Sequence, residues 1–89
     1  FNGKIINIHP SLLPRYKGLN THERVLENNE KFTGCSVHFV NEKLDGGEII
    51  LQKKIKIFKK DNVLSLKNRV LKEEYKLYPK SIIKILSNY

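Results

Sequence analysis

Apolar and polar positions along the chain follow periods that predict short strands and helices. Residues 4–8 form an apolar run typical of a buried strand, and Pro10 ends it because proline has no amide hydrogen to donate to a sheet. A loop then extends to Asn20, where Asn-Thr-His-Glu predicts a helix start, because a capping side chain is followed three residues later by an acid. We expect this helix to end near Asn28.

The middle of the chain predicts two strands joined by a glycine turn. In residues 34–41, Val37 and Phe39 face one side while Ser36 and His38 face the other, which is the period of a strand. Asp-Gly-Gly at 45–47 supplies the turn. Residues 48–58 predict a second long strand, with isoleucines on one side and lysines on a solvent-facing side.

From residue 62 onward the period becomes helical. Val63, Leu66, Val70 and Leu77 lie on one stripe, and Pro79 either bends this helix or begins a second one. The order strand, helix, strand, strand, helix predicts the second half of a mixed α/β sheet rather than a complete fold. We expect one hydrophobic core.

Composition and charge narrow the class of protein. The 89 residues carry 17 Lys and Arg against 9 Asp and Glu, a formal charge of +8 that would attract a polyanion but also suits a solvated lysine-rich surface, the interpretation we favour. The single Cys35 excludes an internal disulfide and suits a reducing compartment, so we expect a cytoplasmic protein. The chain shows no signal-peptide pattern or membrane-spanning run, and its start at Phe1 predicts a fragment of a soluble protein.

Asn7 and His9 form the first candidate catalytic pair. They are two residues apart on the first strand, so their side chains leave the same face, at the strand end where open α/β sheets hold their ligands. An amide that donates to a developing oxyanion and an imidazole that moves protons near neutral pH together suit acyl transfer. The alternative, in which this polar pair satisfies backbone groups of the following loop, remains open.

Two carboxylates extend the candidate site. Asp45 lies beside two glycines in a loop that can carry it inward, and next to His9 it would favour the imidazolium form, although the same segment is also an ordinary turn. Glu74 falls on the apolar stripe of the last helix, where it needs a ligand or an internal partner to offset its desolvation.

The remaining histidines do not predict a metal site. Cys35 and His38 have a suggestive spacing, but no second cluster completes a tetrahedral set. We expect His22 on a helix surface. Most aromatic residues fall in apolar runs or beside motif residues, so we expect them in the core rather than on a nucleic-acid-binding surface.

Two segments resemble the motifs of the folate-dependent formyltransferases. Residues 7–14, Asn-Ile-His-Pro-Ser-Leu-Leu-Pro, resemble that family's signature, and residues 44–47, Leu-Asp-Gly-Gly, resemble its second motif. The similarity covers nearly the whole chain. It implies that residues 1–89 form the C-terminal part of a single formyltransferase domain, an α/β fold in which a mixed, mainly parallel sheet is flanked by helices and the N-terminal half is absent.

The resemblance also implies a reaction. The formyl donor would be 10-formyltetrahydrofolate, a cosubstrate, and no metal would take part. Within the family, the segments at 18–22 and 45–52 are most similar to the branch that formylates the amine of glycinamide ribonucleotide in purine biosynthesis. The expected partners are therefore that ribonucleotide and the missing N-terminal half, with neither a nucleic acid nor a membrane.

By the same resemblance each site residue receives a role. Asn7 would hold the formyl oxygen, His9 would assist proton transfer and stabilise the oxyanion, and Asp45 would orient His9 and position a water. His38 would support the site, and Glu74 would contact the ribonucleotide. The segment that lines the folate pocket would be Val40, Asn41, Glu42, Lys43, Leu44 and Asp45.

Two other functions remain as alternatives. The first is a methionyl-tRNA formyltransferase, although that group usually has Ala-Pro-containing sequence after the Pro-Arg-Tyr loop and an additional C-terminal domain, neither of which is seen here. The second is a basic nucleic-acid-binding module. Formyltetrahydrofolate deformylases resemble the chain less, because they usually replace the residue at Pro10. One departure from the expected branch is Tyr75, where the family commonly has histidine.

Overall fold

The computed structural model describes residues 5–87, which form three strands and two helices. In chain order these are β1 (Ile6–His9), α1 (Thr21–Glu27), β2 (Phe32–Phe39), β3 (Ile49–Lys56) and α2 (Val63–Ser87). The predicted order of elements is confirmed, and with it the α/β class. Lys4, which the apolar pattern assigns to the first strand, lies outside the described residues.

The three strands form one sheet in the order β1-β2-β3, and both pairings are antiparallel. The connection between β2 and β3 covers only residues 40–48, whereas a parallel crossover needs a dozen residues or more. Parallel pairing is therefore not seen within residues 5–87. The mainly parallel character stays a prediction for the sheet of the whole domain.

Helix α2 covers one face of the sheet and closes the hydrophobic core. Cys35, Val37 and Ile55 point from the sheet towards Leu66 and Val70 of the helix, and all five side chains are buried. Burying each aliphatic side chain of this kind stabilises a fold by about 1.5–3 kcal/mol. The core is completed by Val25, Ile50, Leu77 and Ile85.

Strand β2 is buried on both faces. Its residues 33–38 are all buried, because the loop of residues 10–20 covers the face that α2 does not. The loop approaches so closely that a Cβ on Gly34 would lie 2.5 Å from the Leu12 side chain and 2.2 Å from the Lys53 carbonyl oxygen. Only glycine fits at that point of the strand.

Helix α2 runs unbroken through Pro79, so the second of the two alternatives left open by the sequence, a new helix after Tyr78, is not formed. Proline removes one amide donor from a helix. Leu77 and Ser81, before and after it, are both buried, so packing against the sheet holds the helix together across the proline. Among the described residues, neither helix combines the length and the apolar character needed to cross a membrane.

Helix α1 begins at Thr21, where the sequence predicts a helix start, but the expected side-chain cap is not formed. Asn20 has a left-handed backbone with φ of 58°, and its side chain makes no capping hydrogen bond. A capping residue normally has an extended backbone, which aims its side chain at the free amides of the first turn.

The expectation that most aromatic residues lie in the core is also wrong. Phe32, Phe58, Tyr75 and Tyr78 are all at least 37% exposed. Phe32 and Phe58 lie where β2 begins and just after β3 ends, away from the centre of the core. Cations of the chain stack on these rings, with the Lys54 amine 4.0 Å from the Phe32 ring centroid.

Candidate active site

Strands β1 and β2 bring four polar side chains to one face of the sheet. In the antiparallel register Asn7 lies opposite His38, and His9 lies opposite Ser36. Directly opposed residues of two strands share a face, so the two predicted histidines and Asn7 belong to one surface. This is the face that the loop of residues 10–20 covers. His9 and His38 are buried, whereas Asn7 is exposed.

The loop after β2 carries Asp45 onto this face. Asp45 has a positive φ of 49°, and a Cβ on Gly47 would lie only 1.4 Å from the Phe39 carbonyl oxygen. The loop can therefore return this close to β2 only because glycine occupies position 47. The Asp-Gly-Gly segment is thus more than a turn, since it places a carboxylate beside the sheet.

The Asp45 carboxylate lies between two histidines. Its Oδ2 atom is 3.4 Å from His9 Nδ1, and its Oδ1 atom is 3.8 Å from His38 Nε2. The Gly18 N–H donates to Oδ2 at 2.8 Å. The side chains of Asp45 and His9 are each 9% exposed, so the charge of the carboxylate is only weakly screened by solvent.

Backbone carbonyls determine which nitrogen of each histidine carries a hydrogen. His9 Nε2 lies 2.8 Å from the Tyr16 carbonyl oxygen, and His38 Nδ1 lies 3.0 Å from that of Phe39. A carbonyl only accepts, so these two nitrogens donate. His9 Nδ1 and His38 Nε2 are then left to face Asp45, and His38 Nε2 has no hydrogen-bond partner among the described residues.

A cleft of about 350 Å³ opens beside this cluster. It is lined by Asn7, His38 and Asp45 together with the predicted folate segment, Val40, Asn41, Glu42, Lys43 and Leu44. His9 does not line the cleft, but it contacts Asp45, which does. Three predicted site residues and the whole predicted folate segment therefore surround one space.

The segment from 40 to 46 is braced by its own hydrogen bonds. The Asn41 side chain accepts from the Lys43 N–H at 2.9 Å and donates to the Gly46 carbonyl at 3.2 Å. The Gly46 N–H in turn donates to the Lys43 carbonyl at 3.2 Å. Val40 and Leu44 remain exposed and give the rim of the cleft an apolar surface.

Glu74 is not brought into this cleft. It lines a separate cleft of about 360 Å³ with Ile8, Tyr75, Tyr78 and Pro79. Ile8 alternates with Asn7 and His9 along β1, so it faces the opposite side of the sheet. Burial raises the pKa of the Glu74 carboxyl, and Glu74 makes no ion pair among the described residues.

The loop of residues 10–20 is held by a network that the sequence analysis missed. The buried Ser36 hydroxyl donates to the Ser11 carbonyl at 2.7 Å and accepts from the Leu13 N–H at 3.1 Å. Gln52 donates to the Leu13 carbonyl at 2.8 Å and to the Ser36 hydroxyl at 2.9 Å. The signal for this network is the register, because Ser36 and Gln52 are directly opposed on β2 and β3.

His22 is not the surface residue that the sequence predicts. Its ring is partly buried, and its Nδ1 atom is buried without a hydrogen-bond partner among the described residues. Burial lowers the pKa of His22, and the nearby Lys67 and His9 lower it further. The reason is that α1 contacts α2, so this side of α1 is not open to solvent.

Cys35 is a buried free thiol of the core. Burial raises its pKa to about 12, and the nearby Glu74 and Glu73 also raise it. A thiol of this kind is a poor nucleophile and a poor metal ligand. Within residues 5–87 no group of three or more His, Cys, Asp or Glu side chains is arranged to hold a metal ion.

A fold of this shape, with an imidazole, a carboxylate and an amide around a cleft, is suited to acyl transfer. The family model described as formyl transferase matches residues 1–82. The chain belongs to the formyl transferase family, which confirms the resemblance drawn from its two motifs.

Curated relatives and solved structures carry more specific names. The chain is 52% identical over 79 residues to the phosphoribosylglycinamide formyltransferase of Haemophilus influenzae, covering 89% of this chain and 37% of that protein. It is 49% identical over 82 residues to the human trifunctional purine biosynthetic protein adenosine-3, covering 92% of this chain and 8% of that protein. The chain therefore spans just over a third of the bacterial relative.

The fold agrees with solved members. The phosphoribosylglycinamide formyltransferase of Bacillus halodurans superposes with a TM-score of 0.90 at 41% identity, over 97% of this chain and 44% of that one. That of Brucella melitensis superposes with a TM-score of 0.87 at 45% identity, over 94% of this chain and 43% of that one.

Proposed function

We propose that residues 1–89 are the C-terminal part of a single formyltransferase domain, and that the complete protein transfers the formyl group of 10-formyltetrahydrofolate to the amine of glycinamide ribonucleotide in purine biosynthesis. The observation that carries the proposal is the position of Asp45, 3.4 Å from His9 Nδ1 and on the wall of the cleft that Asn7 also lines. The names of the relatives support the choice of acceptor.

The cleft suits the folate donor. Its wall from 40 to 44 offers peptide groups that can recognise the edge of a pterin, and Val40 and Leu44 offer apolar surface for the ring. The buried His38 Nε2, which has no partner among the described residues, adds one polar atom to the same wall. When bound, 10-formyltetrahydrofolate supplies an activated formyl group.

The residues of the chain then stabilise charge and move a proton. Asn7 donates from its side-chain amide to the formyl oxygen, where negative charge develops as the acceptor amine forms its bond to the formyl carbon. The bond from that carbon to the folate nitrogen breaks, the amine loses a proton and the folate nitrogen gains one. His9 carries this proton at Nδ1, because its Nε2–H is already donated to the Tyr16 carbonyl. His9 does not itself line the cleft, so the proton reaches Nδ1 through the water that Asp45 positions.

Asp45 and His38 support this transfer. The Asp45 carboxylate faces His9 Nδ1 and so orients the ring, and the Gly18 N–H fixes the orientation of the carboxylate. We assign His38 a supporting role, because its Nε2 atom lies 3.8 Å from Oδ1, the other oxygen of the Asp45 carboxylate.

Glu74 is proposed to bind the ribonucleotide from the cleft on the other side of β1. It is partly buried, without an ion-pair partner among the described residues, in a cleft that includes Ile8, the residue between Asn7 and His9. A carboxylate in that position can accept from ribose hydroxyls or pair with an amine cation.

We further infer a cytoplasmic protein with neither a nucleic-acid nor a membrane partner. The free Cys35 suits a reducing compartment. The exposed rings of Phe32 and Phe58 already stack with Lys54 and Arg69 at 4.0 Å and 4.5 Å, so bases would have to displace cations of the chain itself.

The test is a spectrophotometric assay of formyl transfer from a 10-formyl folate to glycinamide ribonucleotide by the complete protein, which joins this chain to its upstream half. We expect His9→Ala and Asp45→Asn to lower kcat by about 10²–10⁴-fold. Glu27→Gln, which changes an exposed carboxylate on α1, is the control and should match the wild type.

Each outcome of this assay is informative. Formylation of methionyl-tRNA in place of glycinamide ribonucleotide would move the protein to the tRNA-directed branch of the family. Transfer to neither acceptor by a folded wild-type protein would refute the proposal.

A further inference from the structure

The same short segment of the covering loop touches both members of the proposed catalytic pair. The Tyr16 carbonyl accepts from His9 Nε2 at 2.8 Å, and the Gly18 N–H donates to Asp45 Oδ2 at 2.8 Å. These two backbone groups are only two residues apart. The position of this segment therefore determines both the hydrogen placement on His9 and the orientation of Asp45.

The backbone of this segment has an uncommon conformation. Tyr16 has a positive φ of 54°, and Gly18 has a positive φ of 85°. Glycine adopts such a conformation freely, whereas a tyrosine needs surrounding contacts to hold it there. Contacts from other parts of the chain must therefore maintain the left-handed backbone conformation of Tyr16.

The Tyr16 side chain shows what holds it. Its hydroxyl donates to Glu30 Oε2 at 2.7 Å, and the same carboxylate oxygen accepts from Arg15. The Arg24 guanidinium lies over the Tyr16 ring, 5.5 Å from its centroid. The bond to Glu30 is also the largest cause of the raised pKa of Tyr16.

Glu30 is itself fixed by the end of α1. Its N–H donates to the Val25 carbonyl at 3.1 Å, and its side chain is only 20% exposed. The carboxylate is thus a rigid anchor on the helix side of the loop, although it does not line the cleft beside Asp45.

We propose that Glu30 is a positioning residue for the His9–Asp45 pair, acting through the Tyr16 hydroxyl. Glu30 holds Tyr16, and the Tyr16 carbonyl keeps the hydrogen of neutral His9 on Nε2. Nδ1 is then left without a hydrogen on the side of Asp45, where it can take up the proton of formyl transfer. The effect of Glu30 on formyl transfer rests on the proposed function. Its effect on the tautomer of His9 does not depend on any activity.

The first readout is the His9 tautomer, measured by ¹⁵N NMR of the complete protein labelled at histidine, with His9→Ala used to assign the signal. We expect neutral His9 of the wild type to carry its hydrogen on Nε2. Glu30→Ala should give a mixture of the two tautomers. Glu30→Gln should restore the wild-type signal, because the amide oxygen still accepts from the Tyr16 hydroxyl.

The second readout is formyl transfer. We expect Glu30→Ala to lower kcat about tenfold with KM little changed, the effect of losing one hydrogen bond to a charged group. Tyr16→Phe removes the donor of the Tyr16–Glu30 hydrogen bond, so it should also give mixed tautomers of His9 and a lower kcat. The test therefore does not depend on the folding of a single variant. Glu27→Ala, an exposed acid on α1, is the matched control and should change neither readout.

The outcomes separate the two proposals. A single Nε2–H tautomer retained in both Glu30→Ala and Tyr16→Phe would overturn the positioning role, whatever the enzyme transfers. A mixture of His9 tautomers in Glu30→Ala and Tyr16→Phe, together with a wild type that transfers no formyl group, would support the positioning role. That result would count against the proposed reaction alone.

Discussion

Removing the Ser36 hydroxyl tests whether buried hydrogen bonds hold the covering loop on the sheet. Ser36 is fully buried and its hydroxyl bonds to three groups: the Ser11 carbonyl, the Leu13 N–H and the Gln52 amide. In Ser36→Ala, Gln52 keeps its bond to the Leu13 carbonyl. The Ser11 carbonyl and the Leu13 N–H are left without that partner in a buried environment.

The magnitude follows from those two groups. Each buried polar group that loses its partner costs about 1–3 kcal/mol, so we expect Ser36→Ala to lower the free energy of unfolding by about 2–6 kcal/mol. The removed oxygen is small, so the cavity left behind contributes little to this loss. The same loosening of the loop should also lower kcat, because that loop carries the groups that contact His9 and Asp45.

The assay is urea unfolding of the complete protein, followed by circular dichroism. Ser87→Ala, on the exposed last turn of α2, is the matched control, and we expect it to change the free energy of unfolding by less than about 0.5 kcal/mol. A loss below about 1 kcal/mol in Ser36→Ala would refute the reasoning, since it would mean that the loop holds its position without this network.

Two further predictions concern pH. The Arg69 guanidinium holds the pKa of Asp61 well below its ordinary value, so the pair stabilises the fold above that ordinary value and its contribution is lost as the pH falls. The urea midpoint of the wild type should therefore fall more steeply between about pH 5 and pH 2 than that of Asp61→Asn. Parallel curves would contradict this. Burial raises the pKa of Glu74, so charging it costs stability as the pH rises. Glu74→Gln should be more stable than the wild type at pH 7 and equally stable below about pH 4. The same variant should have a higher KM for glycinamide ribonucleotide, and an unchanged KM would remove Glu74 from the proposed binding site.

Periodicity predicted the elements because the apolar residues of each one recur on the face that it turns to the core. The helical stripe of Leu66, Val70 and Leu77 and the alternation around Val37 are local patterns, and they led to the correct order of strands and helices. Element boundaries differed by a few residues, since a strand ends where its hydrogen-bonded neighbour ends. The outcome at Pro79 depended on packing to the sheet on both sides of the proline, which no local pattern contains.

The residues of the candidate site that lie in recognisable motifs could be predicted from the sequence. Asn7 and His9 share a face by spacing alone, and the glycine loop indicated Asp45. The resemblance added His38 and the segment that lines the cleft. The Ser36 network and the anchor at Glu30 were missed. Glu30 lies fourteen residues from Tyr16 in the chain, and only the path of the loop brings the two together.

The sequence by itself determined the class of fold and the family, because amphipathic periods and two short motifs are local properties of the chain. The tertiary structure alone decided which nitrogen of His9 faces Asp45, that Glu74 occupies a separate cleft, and that aromatic rings such as Phe32 lie exposed. These features depend on contacts between distant segments. Such contacts arise only when the loop, the sheet and α2 pack together.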